Sequence, residues 1–169
     1  RAGPGGTGSA KCGGNYAASL APQTEAAAKG FSQVCFLDTY EEKYLEELGG
    51  MNMFVVMADG TIRTPELTGV ILEGGTRSAI CKMLREQGVD VREERIALDE
   101  LVSGIESGAV SEVFACGTAA VVTPITRLAN DDFDVEIPVG ERTRAIHKAL
   151  TDIQMGRAED PYGWMYRLA

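Results

Sequence analysis

Side chains that bind metals are scarce in this sequence. It contains a single histidine, His147, and no CxxC pair among its four scattered cysteines, Cys12, Cys35, Cys81 and Cys116. Structural zinc sites need closely placed thiolate or imidazole ligands, so we expect no metal site. A chain of 169 residues can bury a sizeable core without crosslinks. We therefore predict reduced, buried thiols, as is typical of cytoplasmic proteins.

Long apolar runs and an excess of basic residues are also missing. No apolar run approaches the roughly 18 residues that a membrane-spanning helix needs. The first residues are glycine-rich, unlike the apolar core of a signal peptide. Acidic residues outnumber basic ones by 25 to 16, which gives a net charge of −9. Nucleic acids bind basic surfaces, so we expect neither a nucleic-acid nor a membrane partner, although a local cationic pocket remains compatible with this charge.

The first ten residues form a glycine-rich segment. The chain begins with Arg1 rather than methionine and continues as RAGPGGTGSA, a composition typical of flexible linkers. We interpret residues 1–10 as an interdomain linker and expect the chain to be part of a longer or cleaved protein. Residues 11–169 are predicted to form one domain.

The remaining sequence alternates irregularly between helical and strand patterns. The alanine-rich residues 15–30 predict a helix with Asn15 as its N-cap, Gly30 as its end and a kink at Pro22. Apolar spacing and turn signals predict the other elements. These are helices over residues 76–87, 98–105 and 140–156, and strands over 33–38, 52–64 (a hairpin turning at Asp59-Gly60), 89–97, 111–118 and 119–128. Because no simple βαβ repeat is present, we predict a mixed α/β fold.

Lys11 lies in the motif KCGGNY (11–16), between the glycine-rich segment and the first predicted helix. Lysine is the residue that forms imines with carbonyl cofactors, when burial or a neighbouring cation lowers its pKa. The two glycines after it would let a planar ring approach the backbone. Without further signals, however, this pattern is more typical of a surface lysine.

Two glycine-containing turns could hold an anion. GGTR (74–77) precedes a predicted helix, whose first N–H groups and dipole favour negative charge. GTA (117–119) joins two predicted strands. Each pattern is weak by itself, because a plain helix start and a tight inter-strand turn look the same. The acidic residues of segment 41–47, considered alone, predict a solvated face.

Five segments occur in an order that resembles one enzyme family. They are KCGGNYAASLAPQTEAAAKG, QVCFLD, YLEELGGMNMFVV, TPELTGVILEGGTR and EVFACGTAAVVTPI. With the tail IQMGRAEDPYGWM, they resemble the C-terminal half of the branched-chain amino-acid aminotransferases, which are class IV (fold type IV) pyridoxal-phosphate enzymes. The resemblance implies a curved, pseudo-barrel mixed sheet flanked by helices, and pyridoxal 5'-phosphate as the cofactor.

The resemblance also implies roles for individual residues. Lys11 matches the lysine that binds the cofactor covalently and moves the proton at the substrate Cα. Tyr16 matches the tyrosine at the cofactor's phenolic oxygen, and Glu47 matches the glutamate at its pyridine nitrogen. The other matching cofactor residues are Asn52, Leu72, Gly74, Gly75, Thr76 and Thr118, while Thr118 and Ala119 match the turn that holds the substrate carboxylate. The family usually has Pro-Gly before Val or Ile and Thr76, so Glu73-Gly74-Gly75 is expected to give a less stiff, more negative turn.

The function implied is transfer of the amino group of leucine, isoleucine or valine to 2-oxoglutarate, giving 2-oxo acids and glutamate. D-amino-acid aminotransferases and aminodeoxychorismate lyases of the same fold are alternatives, and an acidic, non-catalytic interaction domain is an alternative of another class. The family has an N-terminal domain that supplies a phosphate-binding arginine and substrate-side aromatic residues. We expect that domain and a homodimer to complete the site, and little activity from these 169 residues alone.

Overall fold

The computed structural model describes residues 1–166 and 168. Arg167 and Ala169, at the end of the predicted domain, lie outside the described residues. The helices are α1 (Gly14–Ala17), α2 (Leu20–Ala28), α3 (Gly75–Glu86), α4 (Leu98–Ser107) and α5 (Glu141–Gln154). The strands are β1 (Cys35–Leu37), β2 (Leu45–Leu48), β3 (Asn52–Met57), β4 (Ile62–Pro65), β5 (Val91–Glu94), β6 (Val110–Gly117), β7 (Val121–Pro124), β8 (Arg127–Ala129) and β9 (Asp134–Glu136).

A five-stranded sheet with the order β5-β4-β3-β6-β7 forms the centre of the fold. Strand β3 pairs antiparallel with β4 and β6, and β6 pairs antiparallel with β7. Strand β5 pairs parallel with β4, because α3 carries the chain across the sheet between them. Two antiparallel pairs, β1-β2 and β8-β9, form small separate sheets. The mixed α/β architecture predicted from the sequence is confirmed.

Alternating residues of β3 face two hydrophobic clusters. Phe54 stacks on Phe114 of β6, with ring centroids 4.9 Å apart, in a cluster that contains buried residues of α3 and α5. Val55 faces the other cluster, which contains Leu101 of α4. Both faces of β3 are buried because its sequence, NMFVVM, is apolar at almost every position. Each fully buried aliphatic side chain contributes about 1.5–3 kcal/mol, so this strand anchors the fold.

The predicted helix over residues 15–30 is wrong in its detail. The structure breaks it at Ala18–Ser19, before Pro22, into the short α1 and α2. Asn15 lies inside α1, where its Nδ2 donates to the carbonyl oxygens of Thr7 (2.7 Å) and Ala10 (2.8 Å) instead of capping a helix. Gly30 does mark the end of the helical segment as predicted: α2 ends at Ala28, Lys29 is its C-cap, and Gly30 follows with a φ of +86°.

The acidic segment was the most misleading part of the sequence. It contains β2, which was not predicted, and all four residues of this strand are buried. Glu41 and Glu42 are exposed, but Glu46 and Glu47 are only 6% and 3% exposed, so a solvated face is wrong for this pair. Strand β9 was also missed, and the strand predicted over 119–128 is two strands, β7 and β8.

The four cysteines are free thiols, as expected, but only two are buried. Cys81 and Cys116 lie in the core, whereas Cys12 and Cys35 are partly exposed. Within residues 1–166 and 168, no helix combines the length and apolar character that a membrane crossing requires. In the part of the chain that the structure describes, no three His, Cys, Asp or Glu side chains form a metal-binding group.

Asp38 holds together the loop between β1 and β2. Its carboxylate accepts hydrogen bonds from the backbone N–H groups of Glu41 (2.8 Å), Lys43 (3.0 Å) and Tyr44 (2.8 Å). These bonds, that from Tyr44 above all, lower the pKa of Asp38 from 3.8 to about 2. The depressed pKa means that the carboxylate stabilises the fold above pH 3.8 and that this stabilisation is lost as the pH falls towards 2.

Asp38→Asn is therefore expected to lower the free energy of unfolding at pH 7, and the difference from wild type should shrink as the pH approaches 2. Denaturant unfolding of both proteins across this pH range measures the effect. Glu42→Gln, which removes an exposed carboxylate from the same loop, is the control and should change little. An equal loss of stability at every pH would show that the charge of Asp38 is not what holds the loop.

Candidate active site

A cavity of about 250 Å³ lies beside the end of β2, the start of β3, the start of α3 and the end of β6. Nine of the ten residues predicted for the site line it, and Ala119 is the exception. The residues around it are Arg1, Lys11, Tyr16, Glu47, Gly49, Gly50, Met51, Asn52, Leu72, Glu73, Gly74, Gly75, Thr76, Cys116, Gly117 and Thr118. Residues that are far apart in the sequence thus meet around one concave surface.

Residues 1–10, called the N-terminal loop below, bring two cations to this cavity. Arg1 begins the loop and Lys11 directly follows it, and both line the cavity. The Ser9 N–H donates to the Gly69 carbonyl oxygen (3.1 Å), and a Cβ on Gly8 would lie 2.3 Å from the Val70 carbonyl oxygen. The loop is therefore packed against the segment before α3. Its assignment as an interdomain linker stays a prediction.

Glu47 and Arg1 form a buried ion pair at one side of the cavity. Arg1 Nε donates to Glu47 Oε1 (2.8 Å), and Arg1 Nη2 donates to the same oxygen. The guanidinium carbon lies 5.0 Å from the ring centroid of Tyr16, which is half-buried. Burial raises the pKa of Glu47, while the hydrogen bond and charge of Arg1, and the Leu72 backbone, oppose that rise. The Arg1 guanidinium thus lies beside both the Glu47 carboxylate and the Tyr16 ring.

The start of α3 can act as an anion-binding site. Gly74 is its N-cap, with extended backbone and no side-chain hydrogen bond to the first turn. The N–H groups of the first turn therefore have no side-chain cap and can bind an anion. Asn52 Nδ2 donates to the Leu72 carbonyl oxygen (2.9 Å), which fixes the segment before the helix. A Cβ on Gly74 would lie 2.2 Å from Asn52 Oδ1, so a larger residue here would force the Asn52 side chain to move.

The turn between β6 and β7 borders the cavity. Thr118 and Ala119 are both exposed in this turn, but only Thr118 lines the cavity. Cys116, two residues earlier, also borders it; burial raises the pKa of its thiol to about 12, so it stays uncharged. Glu73 lines the cavity as well, so the negative charge expected there from the sequence does lie near the anion site.

Arg1 is the main site residue that sequence reasoning missed. It was assigned to the flexible linker because an arginine at the start of a glycine-rich run has no periodicity and no motif around it. Its position next to Glu47 depends on contacts across 46 positions of the chain, which local patterns do not report. Lys11, in contrast, is exposed at the cavity, so burial could not have marked it.

Comparison with known proteins identifies the family. Residues 5–128 match the model of the family described as amino-transferase class IV, so the chain belongs to the class IV aminotransferases. It is 48% identical over 174 residues to the branched-chain-amino-acid aminotransferase of Mycobacterium tuberculosis (strain CDC 1551 / Oshkosh), covering 99% of this chain and 47% of that protein. The resemblance to the branched-chain group is thereby confirmed.

Solved structures give the same result for the fold. The branched-chain amino acid aminotransferase of Escherichia coli superposes with a TM-score of 0.81 at 35% identity, over 97% of this chain and 52% of that one. The enzyme of Thermobaculum terrenum, solved in its PLP-containing holo-form, superposes with a TM-score of 0.73 at 30% identity, over 90% and 47%. This chain thus spans about half the length of the relatives that it matches.

Proposed function

We propose that this chain is the cofactor-binding domain of a branched-chain amino-acid aminotransferase that uses pyridoxal 5'-phosphate. The observation that carries the proposal is the single cavity that Lys11, Tyr16, Glu47 and the uncapped start of α3 share. An amine, a phenol, a carboxylate and an anion site are the groups that a phosphorylated pyridine aldehyde needs. The domain comprises residues 11–169, with residues 1–10 as the linker.

The residues present fit this cofactor at each of its polar groups. The first-turn N–H groups at Gly75 and Thr76, with the Thr118 hydroxyl, would hold the phosphate. Nothing lies within 4 Å of the position of a Cβ on Gly75, so space remains beside the anion site. Leu72 and Asn52, which hydrogen-bond each other, also line the cavity. When bound, pyridoxal 5'-phosphate supplies a ring that withdraws electrons from the substrate Cα.

Lys11 performs the proton transfer in this proposal. Its Nζ would hold the cofactor and would act as the general base that takes the proton from the substrate Cα and later gives a proton back. An amine on a long, flexible side chain suits this task because it can move between donating and accepting positions. Lys11 is exposed at the cavity, where a substrate can reach it.

Glu47 and Tyr16 adjust the charge of the ring. The carboxylate of Glu47 would accept a hydrogen bond from the protonated pyridine nitrogen and hold the proton there. The Tyr16 hydroxyl would donate to the phenolic oxygen and stabilise its negative charge. Arg1 gives Glu47 a fixed orientation at the edge of the cavity.

The names of the relatives support branched-chain amino acids as substrates, with leucine, isoleucine or valine as donor and 2-oxoglutarate as acceptor. The turn amides at Thr118 and Ala119 would bind the substrate carboxylate. Because this chain spans about half the length of its relatives, we propose that an N-terminal domain and a second subunit complete the site, in a cytoplasmic homodimer. The 169 residues alone should then have little transaminase activity.

Covalent labelling tests the proposal. The chain is incubated with pyridoxal phosphate, borohydride fixes the cofactor to the amine that it occupies, and peptide mapping locates it. We expect one labelled site, Lys11, and its loss in Lys11→Ala. Lys29→Ala is the matched control, because Lys29 is exposed and pairs with Asp131 away from the cavity. Absence of labelling, or equal labelling of the other lysines, would refute the proposed cofactor site.

A further inference from the structure

We infer that Arg1 is a positioning residue of this site, which holds Glu47 by one carboxylate oxygen and leaves the other oxygen for the ring nitrogen of the cofactor. This inference rests on the proposed function and deepens it. It assigns a role to a residue of the N-terminal loop, a segment that the sequence alone predicted to be a flexible linker.

The geometry of the ion pair carries the inference. Both donors of Arg1, Nε and Nη2, end on Oε1 of Glu47, and no described side chain donates a hydrogen bond to Oε2. A guanidinium usually binds a carboxylate through two parallel bonds to its two oxygens. Here Oε1 receives both donors of Arg1, so Oε2 of Glu47, a residue that lines the cavity beside the Leu72 backbone, keeps capacity to accept a further hydrogen bond.

The burial of the pair makes this arrangement rigid. The side chains of Arg1 and Glu47 are only 1% and 4% exposed, so each depends on the other as its charge partner. The guanidinium also lies over the Tyr16 ring, and its Nη1 is buried with no hydrogen-bond partner among the described groups. Arg1 therefore contacts both Glu47 and Tyr16, the two residues that we place at the cofactor ring. Its Nη1 is a further donor that these contacts do not use.

The charge of Arg1 should affect the pH dependence of the site, which a residue that acts only through packing would not do. The titratable groups around Glu47 are the side chains of Arg1, Lys11, Tyr16 and Glu73 at the cavity, and Glu46 beside it on β2. Arg1 is the one among them that hydrogen-bonds Glu47 in the described part of the chain. A cation at this distance opposes proton binding by Glu47 and by a nitrogen facing it. Removing the charge of Arg1 should therefore raise the pH at which Glu47 and the cofactor nitrogen facing it lose the proton that they share.

Three variants of the chain separate charge, geometry and folding. Arg1→Met removes both charge and donors; Arg1→Lys keeps the charge but cannot reproduce the planar fork that places two donors on one oxygen. The control is Arg95→Met, because Arg95 also pairs with a glutamate (Glu41, 3.0 Å) and lies over a tyrosine ring (Tyr44, 3.6 Å), but at the surface. Three quantities are measured for each variant. They are the dissociation constant for pyridoxal phosphate, the pH at which the absorbance of the bound cofactor is halfway through its change, and the midpoint of thermal unfolding.

We expect Arg1→Met to raise the dissociation constant about tenfold or more, because a charge-assisted hydrogen-bond partner is lost, and to raise the pH midpoint. Arg1→Lys should weaken binding less and leave the pH midpoint near that of wild type; Arg95→Met should change neither. If Arg1→Met does not fold, Arg1→Lys decides, and wild-type affinity in it would overturn the inference. So would an unchanged dissociation constant and pH midpoint in a folded Arg1→Met. Failure of the wild-type chain to bind pyridoxal phosphate would instead refute the proposed function.

Discussion

Replacing Lys11 with alanine should lower the rate of amino-group transfer about a thousandfold, the range that loss of a positioned general base produces. The other groups that we place around the cofactor ring are not suited to this role. The guanidinium of Arg1 has no acceptor atom for a proton, Tyr16 is placed at the ring oxygen, and Glu47 is bound to Arg1. The rate is measured with leucine and 2-oxoglutarate in the active two-domain protein that we propose.

Lys29→Ala, which removes an exposed lysine outside the cavity, should keep the wild-type rate. Small primary amines added to Lys11→Ala should restore part of the activity, because the alanine leaves space at the point where the base acted. A Lys11→Ala protein that retains more than about a tenth of the wild-type rate would remove Lys11 from the mechanism, since positioned proton transfer accounts for two or more orders of magnitude.

Gly8→Ala should have the largest effect on the architecture of the site. A Cβ at this position would lie 2.3 Å from the carbonyl oxygen and 2.5 Å from the Cα of Val70, and both are backbone atoms that cannot rotate away. The N-terminal loop would have to move off the segment before α3. We expect the free energy of unfolding to fall by about 2–3 kcal/mol, the cost of forcing extra atoms into a packed contact.

Gly8→Ala should also lower the affinity for pyridoxal phosphate, because the N-terminal loop places Arg1 and the adjoining Lys11 at the cavity and the variant displaces this loop. Gly3→Ala is the matched control: it lies in the same loop, and a Cβ there would meet nothing within 4 Å. Denaturant unfolding and cofactor titration of both variants provide the measurement. If Gly8→Ala behaves like Gly3→Ala, the contact between the loop and Val70 does not hold the site together.

Local patterns in the sequence predicted elements whose stability is local. The amphipathic spacing of Ile80, Met83 and Leu84 identified α3, and Asp59-Gly60 identified the β3–β4 hairpin. Strand β2 was not predicted because Glu46 and Glu47 look like surface residues. The buried ion pair with Arg1 offsets the cost of burying Glu47. Such a pairing depends on long-range contacts, which periodicity does not contain.

The site was predictable only through the resemblance. Lys11, Glu47 and Thr118 are ordinary residues at unremarkable spacing, and nothing local distinguishes them from surface positions. The five segments that resemble one family predicted that these residues share a site, and the structure places them around one cavity. Arg1 lay outside those segments and was missed, while Ala119, which lay inside one, does not line the cavity.

The N-terminal loop also limits how this protein can vary between species. Surface loops usually accept insertions and deletions, because the residues between their ends make few contacts with the rest of the protein. Here both ends are fixed, Arg1 by Glu47 and Lys11 by its place at the cavity, and Gly8 is held between them. Adding or removing even one residue would shift one end away from its partner. The length of this segment should therefore be preserved among orthologues, even where most of its amino acids differ.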